Sequence, residues 1–295
     1  MWALDAALSA LFAGLTSILA KLGVRSTDSD VATALRTAIV LVLAWVVSAL
    51  SGTVSGIGAI PASAWGFLIA SGAATGASWI CYFHALAKGP VSAVTPIDKA
   101  STPLTVILAF LLLGESASPL KILALVAYFA GALLMLPAAQ PSDPGVAPPS
   151  EPHGGPFNSG LPWEFGSAVL AALNSILGKV GVEGVPSDLA TAIRTCVVVV
   201  LAFAIVIGRG KWRFVRAIDR RELGFLIASG LATGASWLFF YRALRIGPAH
   251  GVVPIDKLSF LVSLVFARVV LGEHLSSRAR AGLVLAVAST VALAL

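Results

Sequence analysis

The four-residue sequence Pro-Ile-Asp-Lys occurs twice, as Pro96-Ile97-Asp98-Lys99 and as Pro254-Ile255-Asp256-Lys257. Each copy lies inside an apolar run, so an acid and a base are carried together into a segment of membrane-spanning length. A charged side chain near a bilayer centre costs at least about 2.5–3.5 kcal/mol on insertion scales, and such groups turn toward a partner, a cavity or a solute path. Three roles fit the pairs. They organise the field of a site for a polar solute, or the aspartates relay protons, or each pair neutralises itself or Arg36 and fixes helix register. An adjacent lysine favours the ionised carboxylate, which argues for electrostatic organisation over relay. The proline frees a carbonyl one turn earlier, so the helix is expected to be kinked or locally open there.

Other polar groups recur at helical spacing. Ser92, Thr95, Asp98, Thr102 and Thr105 advance by steps of three and four, one stripe along a helix. Ser71, Thr75, Ser78 and Tyr82 form another, echoed by Ser229, Thr233 and Ser236, with Trp79 and Trp237 beside them. Such faces avoid lipid and turn inward, where they either pack helices or line a wet cavity. Gly72-x-x-x-Gly76 and Gly230-x-x-x-Gly234 are the close-approach pattern, read here as packing. Arg36 and Arg194 are anchors or solute clamps. Lys21 and Lys179 are expected to snorkel to the interface, His84 and Arg242 to be solvated near a helix end, and Glu115 and Glu273 to cap or salt-bridge there. Of the four histidines (His84, His153, His250, His274) none makes a metal-ligand pair, and no nucleophile motif or cofactor fingerprint is present. No metal, cofactor or catalytic residue is therefore expected. Cys81 and Cys196 read as small hydrophobes.

The elements that must position these groups follow from composition. Of 295 residues 58% are hydrophobic and 12% charged, with a mean hydropathy of +0.93, too few charges to cover a water-facing surface. This excludes a soluble enzyme, a disordered chain, a secreted disulfide scaffold and a nucleic-acid binder; the bilayer is the solvent. A shift of 158 positions superimposes one half on the other, and 22 of the 34 residues from Gly66 to Lys99 are identical to Gly224–Lys257. Two copies of one unit are fused, residues 1–137 and 163–295. They are joined at 138–162 by an exposed linker; the stretch Pro137–Pro162 holds eight of the sixteen prolines. Each copy carries five apolar spans, near 3–22, 31–50, 64–86, 91–113 and 119–137, then 163–181, 188–208, 222–245, 249–271 and 278–295. With no period-two alternation these are helices. The expected fold is an all-α integral membrane protein of ten transmembrane helices.

Five is odd, so a copy that follows a non-crossing linker enters from the opposite face, and the repeats are expected to be inverted. The loop Arg209–Glu222 holds six Lys or Arg residues, whereas its counterpart Ser51–Ala64 holds no charge. The positive-inside rule places the 209–222 loop in the cytoplasm, and with it both termini outside. The fifth and tenth spans have no ionisable residue after Lys121 and Arg280, which suits the periphery or a homodimer contact.

Lys21-Leu22-Gly23, Ala34-Leu35-Arg36 and Leu113-Gly114-Glu115, with their copies Lys179-Val180-Gly181, Ala192-Ile193-Arg194 and Leu271-Gly272-Glu273, resemble in order and spacing the EamA-type branch of the drug/metabolite transporter superfamily. The Pro-Ile-Asp-Lys sequence resembles a narrower group of small single-repeat membrane proteins. The resemblance implies alternating access between two halves, a bacterial inner-membrane location, small metabolites as substrates, often exported, and cytoplasmic termini. On that last point it opposes the charge reading, to which six positive charges in one loop give the greater weight. The leading reading is a secondary transporter of a small polar, anionic or zwitterionic solute, because Lys21, Arg36 and Lys99 against Asp98 leave excess positive charge in each half. The expected site is Asp98, Lys99, Asp256, Lys257, Arg36, Arg194, Thr75, Ser78, Trp79, Thr233, Ser236 and Trp237. Alternatives are a lipid or polyprenyl-phosphate flippase and a non-transporting scaffold.

Overall fold

The computed structural model describes residues 1–23, 27–88, 101–135, 161–215, 218–270 and 276–295, and all regular structure among them is helical. Asp98 and Lys99, the first part of the fourth span, nearly all of the proline-rich linker, and Glu273 and His274 lie outside the described residues. The long helices of the first half are α1 (Trp2–Gly23), α2 (Ser29–Leu50), α3 (Ala62–Lys88), α4 (Ser101–Leu112) and α5 (Pro119–Leu134). Those of the second are α6 (Leu161–Gly181), α7 (Ser187–Gly208), α8 (Arg220–Ile246), α9 (Ala249–Lys257), α10 (Ser259–Val270) and α11 (Ser277–Ala294).

Seven of the described segments are long and apolar enough to cross a membrane, and α4 and α5 are shorter apolar helices. The chain is thus a multi-pass membrane protein. Helix starts are chemically marked. Asp28 accepts the backbone N–H of Asp30 at 3.0 Å ahead of the apolar run of α2, and Ser118 caps α5 with Pro119 behind it. The ninth span is divided at Leu258, directly after Asp256 and Lys257. The interruption expected around the Pro-Ile-Asp-Lys sequence is present in this copy, but on the C-terminal side of Pro254 rather than one turn before it. Asp256 and Lys257 therefore occupy a helix end.

The halves interlock by exchange. α1 packs on α8 and α3 on α6, so the first helix of each half lies against the third of the other; α2 lies on α7 and α5 on α11. The paired glycines are packing residues. A Cβ at Gly72 would stand 2.7 Å from Arg194 O, and one at Gly76 2.5 Å from Leu201, seating α3 on α7. Their copies Gly230 and Gly234 meet Ile39 and Leu43 at 2.8 Å and seat α8 on α2. The fifth and tenth spans (α5 and α11) pack on each other, while Leu123 and Val284 stay exposed on their outer faces.

α2 and α7 run antiparallel, which their ends make plain. Asp30 at the start of α2 accepts Arg209 Nη1 at 2.9 Å and Lys211 Nζ at 2.7 Å, both just beyond the end of α7. Asp188 at the start of α7 accepts the hydroxyls of Ser51 and of Thr53 (2.8 Å), just beyond the end of α2. These are copied positions: Asp188 is Asp30 shifted by 158, Ser51 matches Arg209, and Thr53 matches Lys211. The same joint is ionic at one end and hydroxylic at the other.

Another contact fixes α9. Its first residues follow Pro248, which offers no side-chain cap, so the free N–H groups of Ala249 and His250 donate to Glu115 at 2.6 and 2.9 Å. Lys121 Nζ donates to His250 Nε2 at 2.9 Å, and the ring's Nδ1–H donates to Glu115 at 2.5 Å. Burial pushes the Glu115 carboxyl up, but the hydrogen bonds from His250 and Ala249 outweigh it and hold it below the ordinary carboxylate range. The expected capping role is met, across the two halves rather than within one helix. Glu115→Ala is expected to lower stability by about 1–2 kcal/mol, the cost of a lost cap, read as a drop in the thermal unfolding midpoint in detergent.

Candidate functional site

A cavity of about 470 Å³ lies among helices of both halves, a volume suited to a small metabolite. Nine of the twelve expected site residues line it: Arg36, Thr75, Ser78, Trp79, Arg194, Ser236, Trp237, Asp256 and Lys257. Two more, Asp98 and Lys99, lie outside the described residues. Thr233 is placed elsewhere. Its hydroxyl donates to Ser229 O at 2.8 Å and meets Thr16 at 3.1 Å in the α1–α8 seam, because the copied stripe faces a neighbouring helix at that level.

The hydroxyl stripes both pack and line. Ser78 and Ser167 exchange hydrogen bonds to each other's carbonyl at 3.0 Å, tying α3 to α6. At the copied positions Ser9 donates to Ser236 O at 2.9 Å and ties α1 to α8. Ser9 also reaches Asp256 Oδ1 at 2.5 Å, so the acidic side of the cavity is anchored on this seam. Asp256 is half-buried and Lys257 exposed at the end of α9.

Arg194 is fully buried. Its guanidinium donates to Thr75 Oγ1 at 2.8 Å, Asn174 Oδ1 at 2.9 Å and Ser71 Oγ at 3.3 Å. It lies 4.5 Å from the Tyr241 ring centroid and 5.0 Å from that of Trp237, within cation–π range. Every one of these contacts is a neutral dipole or a ring face. Ser71 in turn donates to Asn174 Oδ1 at 2.7 Å, which closes the cage. Arg36 also lines the cavity, partly buried, and among the described residues it has no hydrogen-bond or ion-pair partner.

Asn174 and Ser167, which line the cavity, and Ser9, which bonds Asp256, are residues that the motif reading passed over. Ser167, Ala171 and Asn174 stand at steps of four and three on α6, and an amide inside an apolar span is the signal that points to them. Two expectations at the rim are corrected. Lys179 does not snorkel; its Nζ donates to Leu244 O at 2.6 Å and Gly247 O at 3.0 Å, satisfying the carbonyl end of α8. His84 packs its ring against that of Trp163, centroids 4.3 Å apart and tilted by 52°, rather than standing in solvent, while its copy Arg242 pairs with Asp5 at 3.4 Å. Among the described residues no group of acidic, histidine and cysteine side chains is placed to hold a metal.

Comparison with known proteins adds three findings. The sequence profile of the EamA-like transporter family matches residues 1–136 and 158–295. A Sinorhizobium sp. protein, described as an uncharacterized transporter in the cobO 3' region, is 46% identical over 114 residues, 39% of this chain and 81% of that one. It is therefore about half as long as this chain. A solved crystal structure superimposes with a TM-score of 0.76 at 18% identity, covering 99% of this chain and 95% of that one, a likeness of fold alone.

Proposed function

Because the chain belongs to the EamA-like transporter family, we propose that it is a secondary transporter of a small polar solute, anionic or zwitterionic, working by alternating access between two inverted repeats. The observation that carries this is the cavity. Among the described residues, Arg36 of the first half and Arg194, Asp256 and Lys257 of the second converge on a compartment walled mainly by hydroxyls and aromatic rings. Cations in such surroundings favour an anionic guest, and their field acts at low dielectric. Inversion is supported by the antiparallel course of α2 and α7 and by the exchange of partners between halves. A relative about half as long fits a unit that was duplicated and fused. The protein resides in the plasma membrane with the basic 209–222 loop in the cytoplasm, and the outer faces of α5 and α11 meet lipid.

The test begins with solutes that raise the unfolding midpoint of the purified protein, followed by uptake of those solutes into proteoliposomes. Asp256→Asn and Lys257→Gln are each expected to cut uptake by about tenfold or more, equivalent to about 1.4 kcal/mol. Full uptake by both variants removes the cavity as the transport site.

A further inference from the structure

Arg36 and Arg194 are copies of one residue, yet their surroundings have diverged. The groups that hold Arg194 are Asn174, Thr75, Ser71 and the rings of Tyr241 and Trp237. At the copied positions stand Thr16, Thr233, Ser229, Phe83 and Trp79, of which only the threonine at 233, the serine and the tryptophan keep their type. Thr16 has no amide oxygen. The hydroxyls of Thr16 and Thr233 meet at 3.1 Å, and both face the α1–α8 seam, where Thr233 donates to Ser229 O at 2.8 Å and Ser229 to Thr16 O at 3.3 Å. The amide that closes the cage around Arg194 is missing where Arg36 stands, and among the described residues none of the three copied hydroxyls accepts from Arg36.

A guanidinium cannot shed its charge, and one withdrawn from bulk water without partners is costly. Arg194 meets that cost with fixed protein dipoles on Nε and Nη2 and with two ring faces, whereas no described residue bonds Arg36. Arg36 opens onto the same cavity with its planar fork of donors unused among the described residues. We infer that the two arginines have divided their roles: Arg194 is a structural pin, and Arg36 binds the oxyanion, carboxylate or phosphate, of the transported solute. The fork geometry of arginine matches both groups. This assignment rests on the transporter reading for its biological meaning, but the anion site itself is measurable without transport.

The experiment is arginine-selective labelling of the intact purified protein with phenylglyoxal, followed by mass spectrometry of the peptides holding Arg36 and Arg194. It is run in chloride, acetate and inorganic phosphate at equal ionic strength. Arg36 is expected to label and Arg194 to stay unmodified, and acetate or phosphate should slow labelling of Arg36 by about tenfold relative to chloride. Protection by acetate alone assigns a carboxylate, and by phosphate alone a phosphoryl group. Labelling of Arg36 that neither anion slows, or protection centred on Arg194, overturns the assignment.

Thermal unfolding of two variants gives a second reading of opposite sign. Arg36→Met should keep or raise the unfolding midpoint, because it removes a charge that no described residue pairs. Arg194→Met should lower it by roughly 5 °C or more, or fail to yield folded protein. A fall for Arg36→Met equal to that for Arg194→Met assigns both residues to structure and overturns the division. If Arg36 is protected but no uptake is found in vesicles, the transporter reading fails and the anion site stands. If Asp256→Asn abolishes uptake while Arg36 is unprotected, only the division fails.

Discussion

Gly282→Val is expected to lower the stability of the protein by about 3 kcal/mol, the upper end of what overpacking costs. α5 and α11 cross at two glycines. A Cβ at residue 282 would stand 2.6 Å from Gly131 O and 2.8 Å from the Leu134 side chain. From the other side, a Cβ at Gly131 would meet Gly282 O at 2.8 Å and Ala286 N at 2.9 Å. Backbone atoms cannot rotate away as a side chain does, so the helices must separate and give up their contacts. In a bilayer that loss falls on van der Waals packing, the main force between apolar helices there. Gly66→Ala in α3 is the control, since nothing lies within 4 Å of its added carbon and alanine is the better helix former by about 1 kcal/mol. Unfolding midpoints in detergent should fall steeply for Gly282→Val and hold or rise for Gly66→Ala. Equal midpoints for the two would mean that the crossing carries no stability.

The legible part of this fold was whatever repeats. A shift of 158 residues aligned Asp30 with Asp188 and Ser78 with Ser236 before any coordinates, and the structure uses the copied serines in copied bonds. Spacing also separated the glycines as packing residues. What spacing could not show is where a side chain finds its partner across the interface between halves. Lys179 looked free because its acceptors, Leu244 O and Gly247 O, belong to the end of another helix. Glu115 looked like a local cap, yet the helix it caps begins at Ala249. Thr233 shares its type and phase with Thr75, but its neighbour is Thr16 where Thr75 has Arg194. Duplication makes such differences informative. Once the halves are superimposed, a copied residue with changed partners marks a place where the two sides of the molecule no longer do the same job.

The α2–α7 joint is the clearest such place, and it yields the second large effect. Asp30→Asn is expected to cost about 1–3 kcal/mol, less than the 3–5 typical of a fully buried broken pair. The reduction reflects the 38% and 26% exposure of the Arg209 and Lys211 side chains. Asparagine leaves two cations facing a neutral amide whose own N–H₂ repels them. Arg209→Ser combined with Lys211→Thr should cost less, because it rebuilds the arrangement by which Ser51 and Thr53 hold Asp188 at the other end. The two variants also differ from the parent in their response to conditions. Burial pushes the Asp28 carboxyl up, but its hydrogen bonds from Lys211 and from the Asp30 backbone prevail and hold it below the ordinary range. A depressed carboxylate contributes stability above its unfolded value and loses it as the pH falls through the folded one. Burial pushes Lys211 down, but the hydrogen bonds to Asp28 and Asp30 prevail and raise it. A raised lysine contributes fully below its unfolded value and loses that as the pH rises through the folded one. The parent should therefore lose stability at this end both in acid and in strong alkali, and in high salt, which screens exposed charges. The Ser–Thr double variant should lose the alkaline arm and most of the salt dependence, while the Ser51–Thr53–Asp188 end is unchanged. Under alternating access these joints must open in turn. Low salt then favours the conformer closed at the 209–222 loop, and spin-label distances across each joint should shift with ionic strength in the parent but not in the double variant. A parent whose distances ignore salt would separate the ionic joint from gating altogether.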